Sequence, residues 1–221
     1  MKNKGFTLAE VLITLGIIGV VAAFTMPSLI ANYQKQQTIT HLKKVYSVLS
    51  QAYAQSQVDN GEASGWAEPK DIGIETYFNQ YWKPYLKIAK ECTSYAACGY
   101  GSNSPWYRRD GIASGWTFIY TPGRRAFILA DGTLVHITVT DSVGTLQRAI
   151  NVDLNAGKGP NIFGKDIFQF QTALNSNLIL PSGYDASEAS IQSSCSKTGY
   201  GDYCAAKIMQ AGWEIKDDYP W

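Results

Sequence analysis

Across residues 1–32 the chain carries only three charges, Lys2, Lys4 and Glu10, and residues 11–31 are almost wholly apolar. A run of that length is close to the ~20 residues that span a bilayer as a helix. Two lysines ahead of it and a translocated remainder behind it agree with the positive-inside rule. A secretory signal peptide is one rival reading, since Val21-Ala22-Ala23 offers small residues for a signal peptidase. Against it, the helical pattern continues well past Ala23, and Glu10 sits inside what should be an uncharged core. A plain membrane anchor accounts for length and flanks but gives no reason for Glu10. A carboxylate near the hydrocarbon is costly and marks a partner.

The stretch Lys4-Gly5-Phe6-Thr7-Leu8-Ala9-Glu10, followed by Val11-Leu12-Ile13-Thr14-Leu15-Gly16-Ile17-Ile18-Gly19, resembles the class III signal of type IV pilins and type II secretion pseudopilins. The match runs through about Ile30, and Ala9 departs from the larger aliphatic residue that many members carry there. The resemblance implies a leader at residues 1–5, cut after Gly5 by a prepilin peptidase on the cytoplasmic side. It implies N-methylation of the new amino terminus at Phe6, and retention of residues 6–31 as a membrane helix that becomes filament core. Gly5 lets the backbone approach the peptidase without a side chain. The cut leaves a cationic amine at Phe6, four residues before Glu10. In the family that glutamate is read as pairing with the amine of a neighbouring subunit, although a contact within one chain is the simpler alternative. Such pairing offsets part of the desolvation cost and fixes register. Pro27 lies within the apolar helix, where it removes a donor and favours a kink. In the family a proline here accompanies a bend or a melted stretch in the filament.

The implied partners are a prepilin peptidase/methyltransferase, other pilin or pseudopilin subunits, an inner-membrane assembly platform, and the lipid bilayer before assembly. The implied location is the inner membrane, single-pass with an extracytoplasmic head, and then a pilus or pseudopilus.

Beyond residue 31 the pattern becomes amphipathic. Ile39, Leu42, Val45, Tyr46, Leu49 and Tyr53 recur at helical spacing, with Lys35, His41, Lys43, Lys44 and Gln51 between them. Asn60-Gly61 is a stop signal. Residues 32–61 therefore continue the helix, to a total of roughly 80 Å at 1.5 Å per residue, and the stripe should pack on a head formed by residues 62–221. The expected fold is α+β, a pilin-like lollipop with a long N-terminal helix packed on a C-terminal antiparallel β-sheet head. His41 has no second His or Cys near it in sequence and reads as a solvated helix residue.

In the head, residues 64–72 read as a linker, 75–90 as a short helix interrupted at Pro84, and 91–115 as a loop. Strands are expected at 115–120, 126–130, 133–139 and 148–154, with Asp131-Gly132 marking a hairpin. Val135, Ile137 and Val139 alternate with His136 and Thr138, which places His136 on the other sheet face as a structural residue. Residues 183–204 read as a second loop, followed by a short helical or strand-like piece and final aromatics that dock on the head.

The cysteines fall in two close pairs, Cys92/Cys98 and Cys195/Cys204, neither with CxxC spacing. Two short disulfide loops outside the cytoplasm fit better than a zinc or redox motif. Residues 152–168 place Asp153, Asn155 and Asp166 around glycines and a Pro-Asn turn. Oxygen ligands on a tight loop suit calcium, although position twelve of an EF-hand would fall on Gly164. The other reading is a turn in which Asp153 and Asn155 bond backbone amides. No cofactor is required, and calcium is the one suggested.

Removing Lys2 and Lys4 takes Lys and Arg from 19 to 17 against 18 Asp and Glu, so the mature chain carries −1. That excludes nucleic-acid binding through bulk charge. No HExxH, GxSxG, Walker loop or GxGxxG is present, so the chain reads as a structural subunit rather than an enzyme. A minor pilin with a ligand- or DNA-binding head and a membrane-anchored extracellular enzyme are the alternatives.

Overall fold

The structure, a computed structural model, describes residues 7–101, 106–115, 123–142, 145–173 and 177–221. Gly5 and Phe6, and the expected strand at 115–120 from residue 116 onward, lie outside the described residues. The chain divides into two compact units, Met1–Gln37 and Thr38–Trp221. Helix α1, Leu8–Asn60, supplies residues to both and runs without a break through Pro27. It ends where expected, since Gly61 takes φ +78°, a conformation that glycine adopts without strain.

The first unit is apolar and exposed. Leu8, Leu12, Ile13, Leu15, Ile17, Ile18, Phe24 and Leu29 are all more than half exposed, and α1 is long and apolar enough to cross a bilayer. Threonine and serine hydroxyls in this segment bond back to the helix, Thr14 Oγ1 to the Glu10 carbonyl at 2.9 Å and Thr25 Oγ1 to the Val21 carbonyl at 3.0 Å. Those bonds satisfy polar groups that lipid would not.

The second unit is built on six antiparallel strands in sequential order: β1 Ile88–Glu91, β2 Arg124–Leu129, β3 Leu134–Ser142, β4 Thr145–Asp153, β5 Ile167–Ala173 and β6 Leu178–Pro181. The α1 residues Ile39, Leu42, Val45, Leu49 and Tyr53 are buried, the stripe expected from their spacing. They share one core with Phe127 and Leu129 of β2, Val135, Ile137 and Val139 of β3, and Phe168 and Phe170 of β5. Each leucine or valine so buried stabilises the fold by about 1.5–3 kcal/mol. The fold is thus α+β, a long helix packed on an antiparallel sheet, and the Asp131-Gly132 hairpin joins β2 to β3 as expected.

Several local expectations need correction. Residues 64–72 are not a loose linker: Trp66 is buried and stacks on Tyr81 at 4.4 Å, and α2 (Pro69–Ile72) begins on a proline at its first turn, where the missing N–H costs nothing. The helix expected over 75–90 stops early. It is α3, Ile74–Tyr81, then a 3₁₀ turn at Lys83–Tyr85, then strand β1, because Ile88 and Lys90 pair with Leu129 and Ile128 of β2. β5 and β6 lie outside the expectations, although Phe168-Gln169-Phe170-Gln171 alternates with period two. Within the loop expected at 183–204, Glu188–Ser194 forms α4, whose N-cap Ser187 Oγ accepts from the Ser190 amide at 3.2 Å. The next segment is α5, Cys204–Gln210. The final aromatics do dock: Tyr219 is buried and its hydroxyl donates to the Gly164 carbonyl at 2.5 Å.

Two arginines on the sheet hold the α2–α3 segment. Arg148 of β4 pairs with Glu68, and Arg125 of β2 pairs with Glu75. The Arg148 side chain is only 8% exposed, so removing its partner strands a buried charge. Glu68→Ala should cost about 3 kcal/mol, and Glu68→Gln, which keeps an acceptor, distinctly less; urea denaturation of the full chain in detergent measures both.

Candidate functional site

Three groups of side chains carry the polar chemistry. The first is at the N-terminus. Glu10 Oε2 accepts from the Thr7 amide at 2.8 Å and from Thr7 Oγ1 at 2.8 Å, while the Glu10 amide donates to Thr7 Oγ1 at 3.2 Å. This is a reciprocal capping box, with Thr7 as N-cap and Glu10 three residues on. The carboxylate expected to face a partner's amine is therefore engaged within its own chain, with Thr7 presenting it at the helix start.

The second group lies on the sheet face opposite α1. His136, Asn151 and Gln169 are paired neighbours across β3, β4 and β5, all buried, and Gln169 Nε2 donates to Asn151 Oδ1 at 2.9 Å. His136 therefore does face away from the Val135–Ile137–Val139 side, under the edge of Trp106 at 5.9 Å. Burial, with the charge of Arg124 added, pushes its imidazole down to about 3. A second apolar cluster containing Tyr95, Trp106, Leu134, Phe163 and Ile167 covers the adjoining part of this face. Both expected disulfides form: Cys92–Cys98 within this cluster and Cys195–Cys204 between α4 and α5.

Asp153 is buried at the edge of that cluster. Tyr100 donates to it at 2.5 Å, Trp106 Nε1 donates to the Tyr100 hydroxyl at 3.1 Å, and the Asn155 amide donates to its other oxygen at 3.1 Å. The neighbouring Asp166 accepts from the amides of Asn161 at 2.8 Å and Ile162 at 2.7 Å. Asn155 Nδ2 reaches the Gly159 carbonyl at 2.9 Å and Asp166 at 3.4 Å. The three residues singled out for calcium are thus brought together; Asp153 accepts from a backbone amide, as the turn reading has it, whereas the Asn155 side chain donates to a carbonyl instead. Burial first, then the charge of Asp166, push the Asp153 carboxyl up to about 8 despite its donors. Tyr100, Trp106 and Gly157 were not legible as parts of this cluster. Gly157 is the tightest of them: a Cβ there would lie 1.9 Å from the Gly99 carbonyl oxygen, so only glycine lets the two loops touch.

The third group corrects the reading of His41. It is half-buried, and its Nε2 lies 2.9 Å from Thr133 Oγ1 and 3.6 Å from Asp131 Oδ2, with Lys44 Nζ 3.0 Å from the same carboxylate oxygen. Threonine, histidine and aspartate in one cluster resemble a hydrolytic triad only in composition. In a triad the carboxylate orients one ring nitrogen and the nucleophile meets the other; here both meet Nε2. The cluster pins α1 to the β2–β3 turn.

Comparison with known families places the whole second unit in one of them. Residues 28–221 match a family of unknown function, DUF6613, and the chain belongs to that family. Residues 1–26 match the prokaryotic N-terminal methylation motif, so the N-terminus is a prepilin-type signal. Comparison with curated proteins and with solved structures returns no significant match.

The two buried titratable groups act in opposite senses. Asp153 has a folded pKa of about 8 against an ordinary 3.8, so its contribution is fully present below pH 3.8 and is lost as pH rises toward 8. His136 has a folded pKa of about 3 against an ordinary 6.5, so its contribution is present above pH 6.5 and is lost as pH falls toward 3. Asp153→Asn removes only the first slope. Its melting temperature relative to the wild type should rise steadily between pH 4 and 8, as differential scanning fluorimetry at matched ionic strength will show.

Proposed function

We propose that this member of DUF6613 is a structural subunit of a type IV pilus-like filament or a type II secretion pseudopilus, processed by a prepilin peptidase and assembled through α1. The observation that carries the reading is the join between a prepilin-type signal and an exposed apolar helical segment that holds a single carboxylate. Such a segment needs lipid before assembly and other apolar helices afterwards, which gives the chain an inner-membrane stage with the head outside the cytoplasm. The reading gives the head a structural role, and the misdirected His41 cluster supports that.

Glu10 is the residue on which assembly turns. Its capping box with Thr7 keeps the carboxylate hydrogen-bonded while the subunit waits in the membrane. The amine created at Phe6 by cleavage then offers a cationic partner, and a buried charge gains most from such a partner. Calcium has no necessary part in this scheme: the donors around Asp153 and Asp166 favour a metal-independent turn that locks the loop at residues 153–166.

Two experiments test these points. Glu10→Ala should be cleaved and methylated like the wild type yet be missing from sheared filaments; normal incorporation of that variant would remove the assembly role. For the loop, adding calcium after EDTA treatment should leave the melting temperature of the full chain unchanged, and a calcium-dependent rise lost in Asp166→Asn would assign a metal site instead.

A further inference from the structure

A cleft of about 360 Å³ opens beside α1 at the β1 end of the sheet. Val48, Ala52 and Leu129 give it an apolar wall, Lys44, Gln55 and Lys87 bring amine and amide donors to it, and Asp131 adds one carboxylate. Lys44 is held by Asp131 at 3.0 Å. Lys87 is exposed and has no ion-pair partner among the described residues, and neither has Lys90 on β1. Lys87 is nonetheless well placed, because its carbonyl accepts from the Ala130 amide at 2.9 Å.

The opposite end of the sheet has the opposite charge. β6 is the last strand, α5 packs on β5 and β6, and α4 packs on α5 with the Cys195–Cys204 disulfide joining them. The turn that leads into α4 carries Asp185 and α4 opens on Glu188, both exposed and neither ion-paired among the described residues. Residues 185–194 contain no basic residue. Of the exposed acids in the C-terminal segment, Glu214 and Asp217 flank Lys216 and Asp218 pairs with Lys207, so their charge is partly offset.

We propose that the lysine cleft receives the acidic turn at Asp185–Glu188 of a second copy of this chain. A cationic cleft at one sheet edge and an anionic turn at the other make a heterologous, head-to-tail contact, which propagates into an open helical assembly when the rotation does not close. Gln55 and the apolar wall add hydrogen bonding and contact area around the charge pair, and complementary charge supplies orientation and register. The plainer role for Lys87 and Lys90 is to keep strand β1 from pairing with another edge. Glutamate serves that purpose equally well, so charge reversal separates the two roles.

This proposal rests on the filament reading, and the experiment distinguishes their failures. The full chain, expressed with its assembly machinery, is compared in sheared-filament and membrane fractions as wild type, Lys87→Glu, Glu188→Lys and the double variant. Each single reversal should lower the filament fraction by about tenfold, and the double should recover to within about threefold of wild type, with processing and melting temperature unchanged throughout. Singles that assemble like wild type, or a double no better than the singles, overturn the contact while leaving the filament reading intact. A wild-type chain that never enters the sheared fraction overturns both.

Discussion

Ile39, Leu42, Val45, Leu49 and Tyr53 lie along one side of α1, and the apolar face of the sheet closes on them together with the aromatic residues of α3. A helix in water is marginal without such packing, so this stretch of α1 and the sheet specify each other. Rotation about the helix axis is fixed from two sides. Tyr46 donates to the Ile179 carbonyl of β6 at 3.0 Å, while His41 and Lys44 hold the β2–β3 turn through Thr133 and Asp131. The same helix is almost wholly apolar and exposed over residues 11–31 and striped from Ile39 onward, so one continuous element carries an uncovered apolar stretch upstream and builds its own core downstream.

The other face of the sheet is buried as well, but it is not apolar. His136, Thr138, Asn151, Asp153 and Gln169 all point there, and Thr138 Oγ1 and Asn151 Nδ2 have no hydrogen-bond partner among the described residues. Unpaired buried donors each cost about 1–3 kcal/mol. The cover over this face is therefore tied by other means: the Cys92–Cys98 disulfide, the close approach of Gly157 to Gly99, and the Asp153–Tyr100–Trp106 chain. A disulfide restricts the unfolded chain more than it adds contacts, and so adds to the burial of Trp106 and Phe163 in this layer. Asp153 and His136 then give the layer opposing pH dependences, so that neither mild acid nor mild base removes both.

What could be read from sequence follows the range of the forces involved. The α1 stripe, the Asp131-Gly132 hairpin and the inward alternation of β3 are local patterns, and each appears where it was expected. The close cysteine pairs suggest two short loops, while the connectivity itself, open in the sequence, is given by the fold. β1 and α4 were misread because they are short, and tertiary partners decide short segments: β1 exists through β2, and α4 is fixed by a serine cap and by α5. β5 was missed despite the alternation of Phe168 and Phe170, since the glycine- and Asp-rich segment ahead of it drew the chemistry toward a metal loop. The partners of His41 and Asp153 join residues about ninety and fifty positions apart, a distance over which no periodicity carries information.

A formal net charge of +1 conceals a polarity along the sheet that matters more than the sum. An open six-stranded sheet exposes two edges, and free edges favour strand pairing without limit. Here both edge strands are four residues long; Lys90 sits on β1, and β6 ends in Pro181, which has no amide to donate. Backbone pairing between heads is thereby disfavoured at both ends of the sheet. What remains at those ends is side-chain charge, lysine beside β1 and carboxylate beside α4, and such contacts weaken with salt and distance. Under the proposed filament reading, association between heads is then weak and reversible, and the apolar helix is left to supply the adhesion.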